Sequence, residues 1–466
     1  MPTGTYLRPG WCKAYVVPAE GGVPKAIRPE FSNTGFPLWL PDGRLVFLGM
    51  REAGQPSLEV VDWWTTPLEG GEAIKSGFSA AAEKLGLKGV FQADSVLPAP
   101  VPEAVHPREV SVLFHARAGD GTHLWHVPFS LKSGRIAGPP RRLTLSASSD
   151  AWPAVWADGS RIGFSCLQTN VDIWSLPVDP SKGAATGVPE RLTDDLAEDL
   201  GQDLSSDGAL MAFMRMRSNN SDLWLKDLRT KRETPLVSSP FFKWYPIFAP
   251  GSARIVYPSV EGPGRFSAFV MGRGDASPGK ICGGCGVPSG WSSDGQRLLM
   301  FSEPDTANSH LAVLDLGSRR VTRLVGGPGR RLYGGDYPPD GKWILFLEIS
   351  EAYAHIHVAP ERDLSESNWI RVTADETTED KQCWPADGRL IYFVSHRDGF
   401  RCIWARPFNP AAPGEGKPFP VFHSHQARRS IANVPLAPLT LAVAAGRLTF
   451  SQNEWTANIW MIAVKK

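Results

Sequence analysis

Residues 150–229 carry one pattern twice. The first copy reads Asp150-Ala-Trp-Pro-Ala-Val-Trp-Ala-Asp158-Gly159-Ser-Arg-Ile-Gly-Phe164 and continues to Asn170-Val-Asp172-Ile-Trp174. The second reads Asp199-Leu-Gly-Gln-Asp-Leu-Ser-Ser-Asp207-Gly208-Ala-Leu-Met-Ala-Phe213 and continues to Asn220-Ser-Asp222-Leu-Trp224. From Asp158 to Asp207 is 49 positions, and from Trp174 to Trp224 is 50. A period of this length marks a repeat architecture, in which units that cannot bury their apolar faces alone stack on one another. Asp-Gly between two short apolar runs signals a tight hairpin, because glycine takes positive φ without steric cost. A polar loop, a third strand with Asp-Ile-Trp or Asp-Leu-Trp, and a short fourth strand such as Pro189–Thr193 complete each copy. This is one four-stranded antiparallel blade of a β-propeller.

The pattern recurs along the chain, and the repeats span about 31–75, 94–145, 148–193, 197–236, 241–280, 287–325, 332–373, 380–422 and 433–464. Asp-Gly stands at 42–43, 294–295, 340–341 and 387–388 as well, with Pro250-Gly251 in its place in one repeat. The fold class is therefore all-β, a propeller of about eight or nine blades. Residues 11–30 read as a half-blade of two strands, while the last repeat ends after its third strand. The expectation is a ring closed by strands from both termini, which leaves no open sheet edge. Leu58–Trp64 reads as the third strand of the first repeat, and residues 76–93, with Ala80-Ala-Ala-Glu-Lys-Leu-Gly86, as one short helix.

Composition fits this reading. Glycine (46), proline (41) and 17 tryptophans suit many short strands, many turns and one bulky aromatic per strand layer. The balance of 49 basic against 48 acidic side chains gives no electrostatic footprint for a nucleic acid or an anionic membrane. The apolar run Leu436–Ala445 is too short to span a bilayer and contains a proline. Met1–Gly10 lacks the basic-then-apolar pattern of a signal peptide, so the default location is cytoplasmic, and extracytoplasmic if an anchor lies upstream.

The Pro-Asp-Gly or Ser-Asp-Gly turn, the Arg/Lys-Leu-Ile-Phe strand and the Asp-Ile-Trp strand resemble TolB-type, WD40-like propeller repeats over nearly the whole chain. Four segments narrow the resemblance: Cys282-Gly-Gly-Cys285-Gly with Trp291-Ser-Ser-Asp-Gly, Arg397-Asp-Gly-Phe-Arg-Cys-Ile-Trp404, His423-Ser-His425-Gln-Ala-Arg-Arg-Ser430, and Asn453-Glu-Trp-Thr-Ala-Asn-Ile-Trp460. They look like the C-terminal propeller region of bacterial serine/threonine kinases and transcriptional regulators. That resemblance implies a sensor or protein-interaction platform without the kinase or DNA-binding half. The candidate binding residues lie in two of these segments: Arg397, Asp398 and Arg401, then His423, His425, Arg428 and Arg429. The basic pair Arg428-Arg429 suits an acidic partner or simply solvent.

Catalytic motifs fail on their context. His396-Arg397-Asp398 matches three letters of a kinase catalytic loop, but Ile403 stands where the metal-holding Asn belongs, and Asp398-Gly399 reads better as a turn. Gly274-Asp-Ala-Ser-Pro-Gly279-Lys280 lacks the Ser or Thr of a phosphate loop, since Ile281 follows, and no helix pattern comes after it. Cys282 and Cys285 have metal-ligand or redox spacing, and three readings stand: structural thiols or a local disulfide, a redox-sensitive pair, or half of a metal site completed by Cys383 or Cys402 through folding. His355-Ile-His357 and His423-Ser-His425 each put two imidazoles on one strand face, but neither has a carboxylate or cysteine nearby in sequence as a third ligand. Trp174, Trp224, Trp404 and Trp460 read as anchors between blades, leaving Trp63, Trp369 and Trp455 for exposed recognition. No cofactor is called for. The favoured function is non-enzymatic binding of a protein or small-molecule ligand at one propeller face, and the alternative is a glycan hydrolase or lyase working at the central channel.

Overall fold

The computed structural model describes residues 13–464 except 53–60, 91–98, 120, 147–148, 218–219, 263–264, 303–308, 328, 351–352, 374–376, 427 and 435. The segment read for a leader, Met1–Gly10, and the start of the first repeat's third strand, Leu58–Val60, lie outside the described residues.

The chain is nearly all β, built as a series of antiparallel sheets. Five sheets have four strands in chain order. They are Asn33–Trp39 to Ile74–Lys75, Glu198–Leu204 to Glu233–Val237, Val287–Trp291 to Val321–Val325, Leu332–Asp336 to Ile370–Arg371, and Glu379–Cys383 to Phe419–Phe422. The sheets of Ala104–Arg142 and Phe242–Gly283 are similar, with one outer strand broken in two. The one α-helix among the described residues, Phe78–Lys84, falls in the stretch expected to be helical. No helix of the described residues is long and apolar enough to cross a membrane.

Two local devices repeat from sheet to sheet. The first is the Asp-Gly turn. Asp42, Asp158, Asp207, Asp294, Asp340 and Asp387 each accept, on Oδ1, the backbone N–H two residues on. The side chain thus satisfies a turn amide that would otherwise need water. The second device is a bulge of one extra residue in the first strand. It falls between Gly35 and Leu38, Ala151 and Ala154, Leu200 and Asp203, Tyr333 and Asp336, and Asp380 and Cys383. Its second residue is left-handed in all five: Phe36 (φ 54°), Trp152 (54°), Gly201 (62°), Gly334 (55°) and Lys381 (58°). A bulge swings the following side chain to a new direction.

Contacts divide the chain into two compact units, residues up to Thr169 with 455 onward, and Asn170–Glu454. In the first unit Trp63, Phe78 and Phe114 form the centre of a core between the first two sheets. The Trp63 and Phe78 rings are stacked at 3.6 Å and both meet Phe114 edge-on. The expected half-blade at 11–30 is a hairpin, Tyr15–Val16 on Lys25–Ala26, whose Ala14 and Ile27 share a core with Phe31, Phe47 and Trp64.

The third repeat, 148–193, departs from expectation. No turn separates its second and third strands, which run on as the single strand Arg161–Pro177. The last repeat does the same in Arg447–Ala463. The two long strands neighbour each other. In the second unit Val178 N–H donates to Gly446 O at 2.9 Å and Arg447 reaches Ser175 Oγ at 2.8 Å, while in the first unit Val464 N–H donates to Ser160 O at 2.9 Å. The third strands of repeats three and nine are thus exchanged. Among the described residues the N-terminal hairpin pairs only with itself, and the last strand pairs with Arg161–Pro177. Residues 168–170, expected as a polar loop, are part of this continuous strand.

In the second unit each sheet shares a core with the next, in the order 198–237, 242–283, 287–325, 332–371 and 379–422. The last of these packs Leu390, Tyr392, Ile403 and Val421 against Val171, Leu176, Leu448 and Phe450. Ile173, Ala442 and Ala444 pack in turn on Leu204, Met211 and Phe213 of the first.

Candidate functional site

Among the described residues, sheet 379–422 and the segment after it bring together four side chains able to ligate a metal. Strands Leu390–Ser395 and Cys402–Pro407 pair with Ser395 opposite Cys402, so residues 396–401 form the connecting turn. Gly399 takes φ 85° there, its N–H bonds His396 O at 2.8 Å, and Asp398 Oδ1 accepts Phe400 N–H at 3.2 Å. The other oxygen, Oδ2, is then free to face outward. It lies 2.9 Å from both His423 Nδ1 and His425 Nε2. Ile403 pairs with Phe422, which carries the chain past Cys402, and Ser424 N–H donates to Cys402 Sγ at 3.3 Å. One ligand atom from each of Asp398, Cys402, His423 and His425 lies within 4.8 Å of the others.

Burial acts to raise the Asp398 carboxyl, but hydrogen bonds from His425, Phe400 N–H, Cys402 and His423 outweigh it and hold the group below its usual range. Burial pushes the Cys402 thiol up to about 12; the Ser424 N–H opposes this and the Asp398 charge adds to it. Asp398 and Cys402 are the third and fourth partners that the sequence around His423 and His425 does not offer. They arrive through strand pairing across more than twenty residues.

The other sequence candidates sit apart from this group. Arg397 turns inward, 2.5 Å from buried Glu379 and over the rings of Phe393 and Trp404. Arg401 is buried and donates to Val434 O at 2.8 Å and Ile431 O at 3.3 Å. Arg428 is exposed beside Glu454 at 3.1 Å, and Arg429 lies over Trp174 at 4.5 Å. Cys282 and Cys285 are joined as a disulfide, the local-bridge form among the three readings, and so offer no free thiolate pair to a metal. His355 bonds Arg371 at 2.8 Å, and burial together with that charge lowers it to about 4. His357 stands 3.3 Å from Glu348 and stacks on Phe346, so these two rings serve different partners. Two tryptophan expectations are reversed. Trp63 is fully buried rather than presented, because it is the hub of an aromatic core, and Trp460 is 57% exposed rather than an anchor, because its strand is exchanged.

The recurrent bulge aims a second set of groups that the sequence reading passed over. Four residues before the turn Asp stand Asp203, Asp336 and Cys383 in their respective repeats. Asp203 accepts the N–H of Phe248 at 2.8 Å, from the next sheet. Asp336 likewise accepts amides of Tyr337 and of Trp384, again from the next sheet. Burial raises Asp203 to about 6. Burial raises Asp336 to about 7, its amide bonds oppose this, and the Asp203 charge adds to it. The Cys383 thiol is raised by burial and by both carboxylates. All three retain partial contact with solvent while enclosed by protein. The signal available was the shared offset from Asp-Gly.

In the first unit an apolar sheet surface is open. Trp152, Ala154 and Trp156 face out along Ser149–Val155 and just beyond it, and Trp156 covers Gly163 on the neighbouring strand. Further across the sheet Ile459 is 87% and Met461 53% exposed, flanking Trp460. Among the described residues no strand lies along the outer edge of 456–463.

No family model matches the chain, and no curated protein matches it. Its similar solved structures are β-propeller proteins. One assigned as TolB from Agrobacterium tumefaciens is 16% identical, with a TM-score of 0.46 over 62% of this chain and 99% of that one. TolB from Acinetobacter baumannii is 12% identical, with a TM-score of 0.43 over 75% and 82%. The β-propeller domain of the Trilobed protease from Pyrococcus furiosus is 11% identical, with a TM-score of 0.36 over 73% and 99%.

Proposed function

We propose that this chain is a TolB-like propeller protein that binds a protein partner rather than catalysing a reaction, as the sensory or interaction part of a signalling system. The observation that carries the reading is the edge 456–463. Among the described residues it combines an unpaired strand edge with Ile459, Trp460 and Met461 exposed in succession. A long apolar strand edge is a template for another chain, and proteins that do not use one blunt it with charge or proline. No Lys, Arg, Asp, Glu or Pro stands between Thr456 and Val464. Trp152 supports the same reading. It keeps a left-handed backbone, as Phe36 and Lys381 do in two sister repeats while two others use Gly201 and Gly334, and half its surface is exposed. A bulky residue there costs roughly 1–2 kcal/mol against glycine's near-free choice. An exposed side chain held at such cost points to use at its surface. The second unit supplies the body of the platform: we infer that its six sheets close into one ring, since their shared cores lead back to the start.

The test is photo-crosslinking from benzoylphenylalanine placed at position 457 in cells that make the protein, with position 182 as an exposed control. A discrete adduct to one protein from 457 alone supports the reading. Equal adducts from both positions, or none, would remove it.

Asp203 and Asp336 favour a second reading, a ligand or glycan-cleaving site at the ring's centre. They stand three sheets apart in the order of six, the spacing that faces two positions across such a ring, and the charges of both raise the same Cys383 thiol. A paired acid and base is what glycoside cleavage requires. Against it, both carboxylates already hold backbone amides of the next sheet. Hydrolysis of an oligosaccharide panel that disappears in Asp336→Asn would establish this reading over the first.

A further inference from the structure

We propose that Asp398, Cys402, His423 and His425 form a four-ligand site for a divalent transition metal, with Zn²⁺ the ion best matched to the donors. Two imidazoles, a thiolate and a carboxylate are a borderline-soft set that suits zinc, whereas Mg²⁺ and Ca²⁺ call for oxygen ligands alone. Four protein ligands also make a closed site, the structural rather than the catalytic kind.

Geometry supports this in three ways. Tetrahedral zinc bonds of about 2.0–2.3 Å place donors roughly 3.3–3.8 Å apart. The four donor atoms already lie within 4.8 Å of one another, so a contraction of about an ångström at the widest pair suffices. Next, the facing atoms are the ligating ones. Nδ1 of His423 and Nε2 of His425 both point at Oδ2 of Asp398, while Oδ1 is occupied by the turn amide of Phe400. One carboxylate oxygen shared by two imidazoles at 2.9 Å marks the place where a cation would satisfy all three groups. Last, the surroundings orient the ligands. Phe400 stacks on His425 at 4.3 Å and Trp404 meets His423 edge-on at 6.0 Å. Ser424 N–H already bonds the Cys402 sulfur, the kind of outer contact that steadies a metal-bound thiolate.

The spacing Asp-x3-Cys…His-x-His spreads the ligands over a hairpin turn, the strand after it and the segment that follows the sheet's last strand, Phe419–Phe422. Bound metal would therefore clip the turn 396–401 to 423–425 and fix the chain that leads on to Arg428 and Arg429.

The experiment uses the full chain, stripped with EDTA and titrated with Zn²⁺ and with Co²⁺. One equivalent of Zn²⁺ is expected. Cys402→Ser and His423→Ala should each weaken binding at least tenfold, and Cys282→Ser should leave it unchanged. Because those ligand variants are able to disturb folding, the Co²⁺ spectrum of the unaltered chain is an independent readout. A thiolate-to-cobalt charge-transfer band with tetrahedral visible bands supports the site. No band, no stoichiometric binding, or binding lost only in Cys282→Ser would overturn it.

Discussion

The carboxylate of Asp203 accepts the backbone N–H of Phe248 at 2.8 Å, so a side chain of one sheet holds the first strand of the next. Asp336 repeats the relation with Trp384. The bulge before each Asp is what turns the carboxylate toward its neighbour sheet, and a left-handed glycine, Gly201 or Gly334, makes the bulge inexpensive.

Truncating the first of these groups isolates its structural part. Asp203→Ala leaves the Phe248 amide without its partner and is expected to cost about 1–3 kcal/mol in urea unfolding. Asp203→Asn keeps an acceptor oxygen and should cost well under half of that.

The second carboxyl gives a pH signature. Burial raises Asp336 to about 7 from a reference of 3.8, so the folded state holds its proton more tightly than the unfolded state. The stability this confers is complete below about pH 4 and is lost as pH rises through 7. Asp336→Asn has no proton to lose. At pH 8 it should be the more stable protein by up to about 4 kcal/mol, with the gap closing toward pH 4, as read from melting curves across that range.

Two tryptophans should behave in opposite ways. Trp63 is fully buried against Phe78 and Phe114, and Trp63→Ala is expected to cost about 3–5 kcal/mol. Trp152→Gly removes exposed area and relaxes a left-handed residue, so its unfolding free energy should stay within about 1 kcal/mol of the unaltered chain. Denaturant midpoints for the pair decide whether Trp152 serves folding or its surface.

Charge on the open edge gives a fourth test. Ile459→Lys with Met461→Lys should change stability by less than about 0.5 kcal/mol per site, because both side chains are exposed. The yield of partner adduct crosslinked from position 457 should fall at the same time, because charge on a strand edge discourages pairing.

Much of the fold was legible because its signals are local. Asp-Gly turns depend on residues two positions apart, and Asp158, Asp207, Asp294, Asp340 and Asp387 all form them. The exchange of third strands was not legible. Asp172-Ile-Trp174 and Asn458-Ile-Trp460 are equally good third strands for either second strand, so pattern alone cannot say which one they join. The candidate metal group was half visible. His423 and His425 stand out by their spacing, but Asp398 and Cys402 reach them only through the pairing of Ser395 with Cys402 and of Ile403 with Phe422. Asp203 and Asp336 share an offset of four residues before the turn Asp, but that offset gains meaning only once the bulge turns both carboxylates toward the next sheet.

If the edge 456–463 is a docking strand, the yield of photo-crosslinked adduct from position 457 reads its occupancy directly. It should be compared between the unaltered chain and Trp460→Lys with Trp152→Ala, both made at equal levels. Docking at this edge predicts one adduct that falls at least tenfold in the double variant while circular dichroism is unchanged. An adduct of undiminished yield in the variant would contradict it.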